Sequence, residues 1–319
     1  MDIAVTGSTG LVGTRLVELL RADGHRVARV VRPQSEAVPG DTIAWDVAAG
    51  SVDADAFKGI DAVVHLAGAG IGDKRWTAQR KRVVMDSRVD GTTLLSETLA
   101  GLDRPPGLLL SASAVGWYGD TGDTVTDESA EPRPGDFQTE VCRAWEGAAT
   151  AAVDAGIRTA FLRSGAILDP GGGALGAQLL AFKLCLGGRA GSGRQWFSWM
   201  HVDDDARAIA HLLTDPGASE VSGPVNLTSP NPVTNAEFAR ALGRAVHRPT
   251  FVVPMLAPRL LYGRELADSL LLTSQRIVPS VLARTDFEFA HPDIGEALED
   301  LVERASWREL YALPGTFGS

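Results

Sequence analysis

A glycine-spaced turn near the start of the chain constrains the fold more than any other feature. Gly7, Gly10 and Gly13 follow an apolar run at residues 2–6 and lead into residues 11–22, where leucine and valine recur at helical spacing. A second strand-like run follows at 26–31. Strand, glycine turn, helix and strand are the context that gives this spacing chemical meaning. Gly7 permits the tight turn, Gly10 lets a diphosphate approach the backbone, and Gly13 allows close helix–strand packing. The helix behind the turn offers free N–H groups and a positive dipole end to phosphate. Gly7, Ser8, Thr9, Gly10, Leu11, Val12 and Gly13 are therefore expected to line a dinucleotide site. The alternative is a turn that serves structure alone.

The alternation continues down the chain. Strand-like runs at 42–45, 62–67, 107–111 and 159–163 are interleaved with helical stretches at 77–99 and 138–155. Strands separated by helices predict right-handed crossovers and a parallel sheet covered on both faces. The expected fold is α/β, a Rossmann-like doubly wound parallel sheet with a smaller mixed C-terminal lobe. After Arg163 the pattern loosens into a glycine-rich stretch within 169–195, with an apolar helix near 175–186. A helix near 202–213 and a strand at 223–227 follow. Thr234 and Glu237 have capping-box spacing at the head of a helix over 234–245. Residues 249–319 hold several prolines and apolar helices. The expected division is 1–165 plus about 200–228 for nucleotide binding, and 166–199 plus 229–319 for the second lobe.

Charge and cysteine content exclude several partners. Of 319 residues, 30 are Lys or Arg and 40 are Asp or Glu, a net charge of −10 that argues against nucleic acid and against a polybasic membrane contact. Cys142 and Cys185 cannot build a disulfide framework or a cysteine zinc site. No basic leader precedes the first strand, and no apolar run approaches the ~18 residues of a membrane span. A reduced, cytoplasmic protein with a small-molecule substrate is expected. His201, followed by Asp203 and Asp204, suggests capping or interdomain hydrogen bonding, and no metal site is expected.

The end of the second strand bears on the choice of nucleotide. NAD sites usually place an acid there to bind the ribose 2′-hydroxyl. Here Arg29 and Arg32 stand instead, which suits a 2′-phosphate and favours NADP(H) over NAD(H). Arg32, just past the strand, is the stronger candidate, and solvated surface arginines are the alternative. Asp46 either holds the adenine amino group or serves a turn.

Three further segments carry a family resemblance. His65, Leu66, Ala67 and Gly68 follow an apolar strand; Ser111, Ser113, Trp117 and Tyr118 mark a serine-rich strand end; His201, Val202, Asp203 and Asp204 form a third block. These resemble the extended short-chain dehydrogenases. Segments 141–146, 187–196 and 223–230 look like one atypical branch, the epimerase-family proteins often labelled nucleoside-diphosphate-sugar epimerases or cell-division inhibitors. The piece from about Arg248 through Pro292 looks like that branch's C-terminal domain of unknown function. The resemblance implies cofactor contacts from Leu66, Ala67 and Gly68, and a possible homodimer through the long helices.

The resemblance also exposes a gap. Relatives carry Tyr and Lys four residues apart on one helical face, where the cation lowers the phenol pKa for acid–base work. The most natural placement here puts Gln138 and Cys142 at those positions, and Arg88 where relatives often have Asn. Ser113 remains as the match to the catalytic serine, and Tyr118 is a nearby candidate proton donor. Glu140 and Glu146 are expected on a solvated helix surface. Trp117, Cys142, Arg194, Trp196 and Trp199 are candidate substrate-pocket residues, with Arg75 and Trp76 on the rim. Three functions follow in order: an NADP(H)-dependent oxidoreductase on an unidentified small molecule, a non-catalytic NADP(H)-binding or redox-sensing module, and a sugar-nucleotide epimerase or dehydratase.

Overall fold

The computed structural model describes residues 1–33, 42–133 and 135–305. The last residues of the expected second lobe, 306–319, lie outside them. The first half alternates as follows: β1 (Asp2–Thr6), α1 (Leu11–Ala22), β2 (Arg26–Val31), β3 (Thr42–Asp46), β4 (Ser51–Val52), β5 (Ala62–His65), α2 (Ala78–Ala100) and β6 (Leu108–Ala114). Then come β7 (Val125–Thr126), α3 (Phe137–Gly147), α4 (Thr150–Asp154), β8 (Arg158–Ser164), β9 (Ala166–Asp169), α5 (Gly173–Lys183), β10 (Gly188–Ala190), β11 (Trp196–Phe197) and β12 (Trp199–His201). The chain continues through α6 (Val202–Thr214), β13 (Gly223–Leu227), β14 (Val233–Thr234), α7 (Asn235–Ala245) and β15 (Phe251–Val253). It closes with α8 (Leu256–Tyr262), α9 (Arg264–Leu271), β16 (Arg276–Ile277), α10 (Ser280–Arg284) and α11 (Ile294–Arg304).

Eight strands form the main sheet in the order β13-β8-β6-β5-β1-β2-β3-β4. Every pairing in it is parallel except β3 with β4. This is the doubly wound α/β sheet that the alternation predicts. Its strands are covered on both sides, so β1 and β5 are almost wholly buried instead of alternating. Ile3, Val5, Val64, Leu110 and Leu162 face α1 and α6 through Leu16, Leu20, Ile209 and Leu212. Ala4, Val30, Val63 and Leu109 face the opposite side, against Leu95 and Leu99 of α2. A further core joins α5, α7 and α11 through Leu175, Phe182, Phe238, Leu242 and Leu298. Val281 and Leu282 of α10 belong to the main core, so the C-terminal segment is packed into the sheet domain.

Two boundaries differ from the pattern. The strand expected over 62–67 stops at His65, because the N–H groups of Leu66 and Ala67 turn to donate to Thr6 Oγ1, at 3.0 and 3.1 Å. The helix expected over 138–155 divides into α3 and α4. The carbonyls that would continue it are taken by hydroxyls: Thr150 donates to Gly147 and Ser96 of α2 donates to Ala148. The capping box at α7 is complete, with Thr234 and Glu237 each bonding the other's backbone N–H.

Helix α6 carries an unusual acid. Asp205 is buried and its Oδ1 has no hydrogen-bond partner, whereas Asp204 beside it accepts from the N–H groups of Ala290 and His291. Burial, aided by the Asp204 charge, pushes the Asp205 carboxyl up to about 7. The native state therefore holds a proton that the unfolded chain releases near its ordinary value of 3.8, and stability falls as pH rises from there to about 7. Asp205→Asn should be more stable than the parent above pH 7, with the difference vanishing near pH 4. Urea denaturation at both pH values reads this, and a pH-independent difference would contradict the assignment.

Candidate functional site

The glycine turn has the geometry of a phosphate cradle. Gly7 sits at φ 64°, and a Cβ there would lie 2.8 Å from the Leu66 carbonyl carbon. A Cβ on Gly13 would lie 2.2 Å from the Gly7 oxygen. Both positions exclude any larger residue, which seats α1 tightly against β1. Gly10 is the N-cap of α1 and provides no side-chain cap, so the first N–H groups of the helix point outward unclaimed by a side chain. Ser8 Oγ is buried and makes no hydrogen bond. An orphan hydroxyl beside an open helix N-terminus fits a bound diphosphate.

The floor beneath this turn is a buried polar chain. Thr6 Oγ1 accepts from Leu66 and Ala67, so its own proton goes to His65 Nδ1 at 2.8 Å. His65 Nε2 then carries the ring proton toward Thr92 Oγ1 at 3.0 Å, which also accepts from Trp145 Nε1. Burial drops His65 to about 4, which keeps it neutral. Leu66 and Ala67 therefore spend their N–H groups inward, and Gly68 is the exposed member of that trio.

The adenosine end matches the expected residues unevenly. Arg32 is exposed just past β2. Arg29 is half-buried within the strand, with Nε buried and unpartnered. Asp46 accepts from the N–H of Ala49 and is a turn aspartate. No hydrogen bond reaches beyond that turn among the described residues.

Sheet register builds the other end. Ser113 of β6, Arg163 of β8 and Asn226 of β13 stand opposite one another on three adjacent strands. In-register residues of a parallel sheet leave the same face. Glu146 of α3 descends onto this row. Arg163 donates to it twice, Nε to Oε1 at 2.8 Å and Nη2 to Oε2 at 3.0 Å, and Ser113 Oγ donates to Oε1 at 2.7 Å. Arg163 Nη1 donates to the Tyr118 hydroxyl at 3.0 Å, and Tyr118 donates to Asn226 Oδ1 at 2.7 Å. Asn226 Nδ2 donates to the Val278 carbonyl.

Two expectations change on this geometry. Glu146 is buried, not solvated, because Arg163 draws it under the helix; Glu140 is exposed as expected. Ser113 and Tyr118 are brought together, but as members of one closed network. Burial pushes the Tyr118 phenol up to about 12, although Arg163 works against the rise. Its proton is committed to Asn226, so it is a poor acid at neutral pH. Sequence reading missed Arg163, whose only signal was a cation at the end of a largely apolar run.

The substrate-pocket candidates separate in space. Gln138 and Cys142 share one helical face at the end of β6: a Cβ on Gly116 would meet Gln138 Cβ at 3.1 Å and Cys142 Sγ at 3.4 Å. The Cys142 thiol is pushed up to about 12, by burial first and by the Glu146 charge second. Trp117 packs on the Arg163 guanidinium, whose carbon lies 4.0 Å from the ring centre, and Trp117 Nε1 is buried without a partner. Trp199 corrects the expectation: it is fully buried with Leu175 and Phe238, and its Nε1 donates to the Asn231 carbonyl, so it serves the core. Trp196 donates to Asp123 and stacks under Arg276, clamping β11 to the C-terminal segment. Arg194 is exposed. On the rim, Arg75 donates to the carbonyls of Leu260 and Leu261, and Trp76 packs edge-on against Phe137 with centroids 4.9 Å apart. Residues 71–81 and the α8–α9 hairpin thus meet.

The histidine block is a bracket. His201 Nδ1 accepts from the N–H of Asp203 and its Nε2 faces Asp300 Oδ2 at 3.1 Å, so both nitrogens are engaged. His291 stacks on it at 3.9 Å, and Asp203 pairs with Arg304 and Arg15. The His201–Asp203–His291 group lies close enough to hold a metal ion, and both His201 nitrogens are engaged within the protein.

Comparison with known proteins places these features. A model of the NAD dependent epimerase/dehydratase family matches residues 3–228, and a model of a domain of unknown function (DUF1731) matches 253–301. The chain is 43% identical to the epimerase family protein Mb2239 of Mycobacterium bovis over 297 residues, covering 93% of this chain and 96% of that one. The crystal structure of human epimerase family protein SDR39U1 (isoform 2) with NADPH superposes with a TM-score of 0.85 at 34% identity, covering 96% of this chain and all of that one. Thermus thermophilus UDP-glucose 4-epimerase in complex with NAD shares the fold, at a TM-score of 0.74 and 20% identity, covering 96% of this chain and 100% of that one.

Two outcomes follow from the buried network. Glu146→Ala strands the Arg163 charge and should lower stability by about 3–5 kcal/mol in urea denaturation. A loss under about 1 kcal/mol would show that water reaches the pair. In the native protein at pH 8, iodoacetamide should label the exposed Cys185 and spare Cys142. Mass spectrometry of the two peptides reads this, and equal labelling would contradict the raised thiol.

Proposed function

The chain belongs to the NAD dependent epimerase/dehydratase family, and from that premise we propose that it binds NADP(H) and exchanges hydride with a small carbonyl, alcohol or activated alkene. The observation that carries the reading is the glycine cradle feeding a second strand that is followed by arginine instead of an acid. Arg32 is the residue for the 2′-phosphate, and Arg29 supports it with field and a spare Nε–H. The NADPH in the human relative's structure supports the same choice. When bound, the dinucleotide supplies or accepts the hydride.

The chain's own contribution is mainly positional. Ser113 donates to Glu146, so its oxygen faces a ligand as an acceptor. That orientation suits a substrate hydroxyl better than a carbonyl. The proton that accompanies hydride transfer comes from solvent or substrate, because the Tyr118 hydroxyl and Cys142 thiol both hold theirs to about 12. The same observation favours a second reading, a nucleotide-binding module that senses redox state without turnover. Sugar-nucleotide epimerisation ranks below both, because Gln138 and Cys142 do not reproduce the usual base.

Purified protein titrated with NADPH, NADH, NADP+ and NAD+ should prefer the phosphorylated pair. Arg32→Ala should weaken NADPH roughly tenfold or more, on the scale of a lost charge-assisted hydrogen bond, with NADH little changed. Absence of binding by any nucleotide would reject the reading. Substrate-dependent NADPH oxidation across carbonyl and alkene panels separates enzyme from module. In the enzyme, Ser113→Ala lowers turnover and retains NADPH affinity; unchanged turnover would remove Ser113 from the mechanism.

A further inference from the structure

Arg88 is a buried cation without an ion-pair partner among the described residues. It projects from α2 and is only 9% exposed. Nη1 donates to the carbonyls of Ala69, at 2.8 Å, and Val84, at 3.1 Å. Its guanidinium carbon stands 4.6 Å from the centre of the Trp145 ring. Among the described residues no carboxylate forms an ion pair with it, and Nε and Nη2 make no hydrogen bond. Burial works against its charge and Arg80 adds to that, while Asp73 pulls the other way without forming an ion pair. An unpaired guanidinium held in a folded protein is costly, which points to an anionic partner that arrives with a ligand.

Its place in the sheet identifies that partner. The glycine turn lies at the end of β1, and β2 with Arg32 lies to one side. Arg88 lies to the other, against Gly68 after β5: a Cβ on Gly68 would stand 3.4 Å from the Arg88 guanidinium carbon. Gly68 is two residues beyond Leu66, whose carbonyl carbon abuts Gly7. The cation therefore follows the phosphate cradle on the side opposite the adenosine end, above β5 and β6 and near Cys142. We propose that Arg88 binds the nicotinamide-side phosphate of the bound dinucleotide, resting on the NADP(H) reading above. It thereby supplies from α2 a cation to the half of the cleft where α3 presents Gln138 and Cys142.

The test uses NADPH and 2′,5′-ADP, which has the 2′-phosphate but lacks the nicotinamide half. In calorimetric titrations Arg88→Gln should weaken NADPH about tenfold or more and leave 2′,5′-ADP within about twofold. Arg88→Lys, which keeps the charge but not the fork, should lie between Gln and the parent for NADPH. Arg32→Ala should weaken both ligands, which separates the two arginines. Unchanged NADPH affinity in Arg88→Gln overturns the proposal. So does an equal loss of both ligands in the Gln and Lys variants, which marks Arg88 as structural. A parent protein that binds neither ligand removes the NADP(H) reading itself.

Discussion

The two-pronged ion pair between Arg163 and Glu146 is the interaction on which the far half of the cleft depends. Both side chains are buried, and the carboxylate accepts three hydrogen bonds, two from Arg163 and one from Ser113. Taking both charges out of water costs several kcal/mol, and good geometry recovers it only when the lone pairs are filled. Here they are filled from two strands, β6 and β8. The pair ties α3 to the sheet, aims the turn that holds Tyr118, and reaches β13 through Asn226. Asn226 passes the linkage on to Val278, while Glu128 accepts from the N–H groups of Asn226, Ser280 and Val281. A buried pair of this kind specifies one arrangement more than it adds stability. The arrangement specified is the docking of the 276–284 segment against the end of the sheet.

The cleft that results has two unlike ends. Toward β2 it is open and arginine-flanked, with an uncapped helix N-terminus at its centre. Toward β6 it is walled by Gln138, Cys142 and Trp117, and its ionisable groups are locked. His65 is held neutral under Thr6 and Thr92, edge-on to Trp45. Tyr118 and Cys142 keep their protons far above neutrality. The protein as a whole is acidic, with a net charge of −10, yet Arg29, Arg32 and Arg88 flank the glycine cradle. Local cations in a concave, partly desolvated site set the field felt by an anionic ligand more strongly than the distant net charge does. Gln138 and Cys142, four residues apart on α3, present a polar amide and a thiol at the β6 end. Neither the Tyr118 hydroxyl nor the Cys142 thiol is poised to exchange a proton near neutral pH.

The lobe beyond the sheet is held by short pairings. β9 with β12, β10 with β15, β11 with β14 and β7 with β16 each join only two strands. Side chains reinforce them: Gln195 donates to the carbonyls of Ala190 and Leu271, and Ser198 donates to that of Gln275. Gln195 and Ser198 thus tie the glycine-rich stretch to the C-terminal segment. Trp199 shows why composition misled. A tryptophan beside arginines and glycines suits a ligand wall, but an apolar ring that size is equally a core anchor, and only its neighbours decide.

The sequence by itself determined the nucleotide-binding half. Strand, glycine turn and helix are adjacent in the chain, so their packing is a local matter. Gly13 is dictated by its contact with Gly7 and Ser8 in the same turn, and Gly7 by its positive φ together with Leu66 and Ala67 just past β5. Helix α1 and strand β2 begin and end where apolar periodicity and Gly24 place them. The α7 cap was legible for the same reason, since Thr234 and Glu237 are three residues apart. Tertiary structure alone decided the other half. Ser113, Glu146, Arg163 and Asn226 are scattered along the chain, and they meet because β6, β8 and β13 pair in one register and α3 lies over them. A glutamate on an amphipathic helix looks solvated until the facing strand supplies a guanidinium. Arg88 gave no local sign of lacking an ion-pair partner, because whether a cation is paired depends on everything packed around it. Local spacing encodes backbone geometry; burial and charge pairing are set by which distant strands become neighbours.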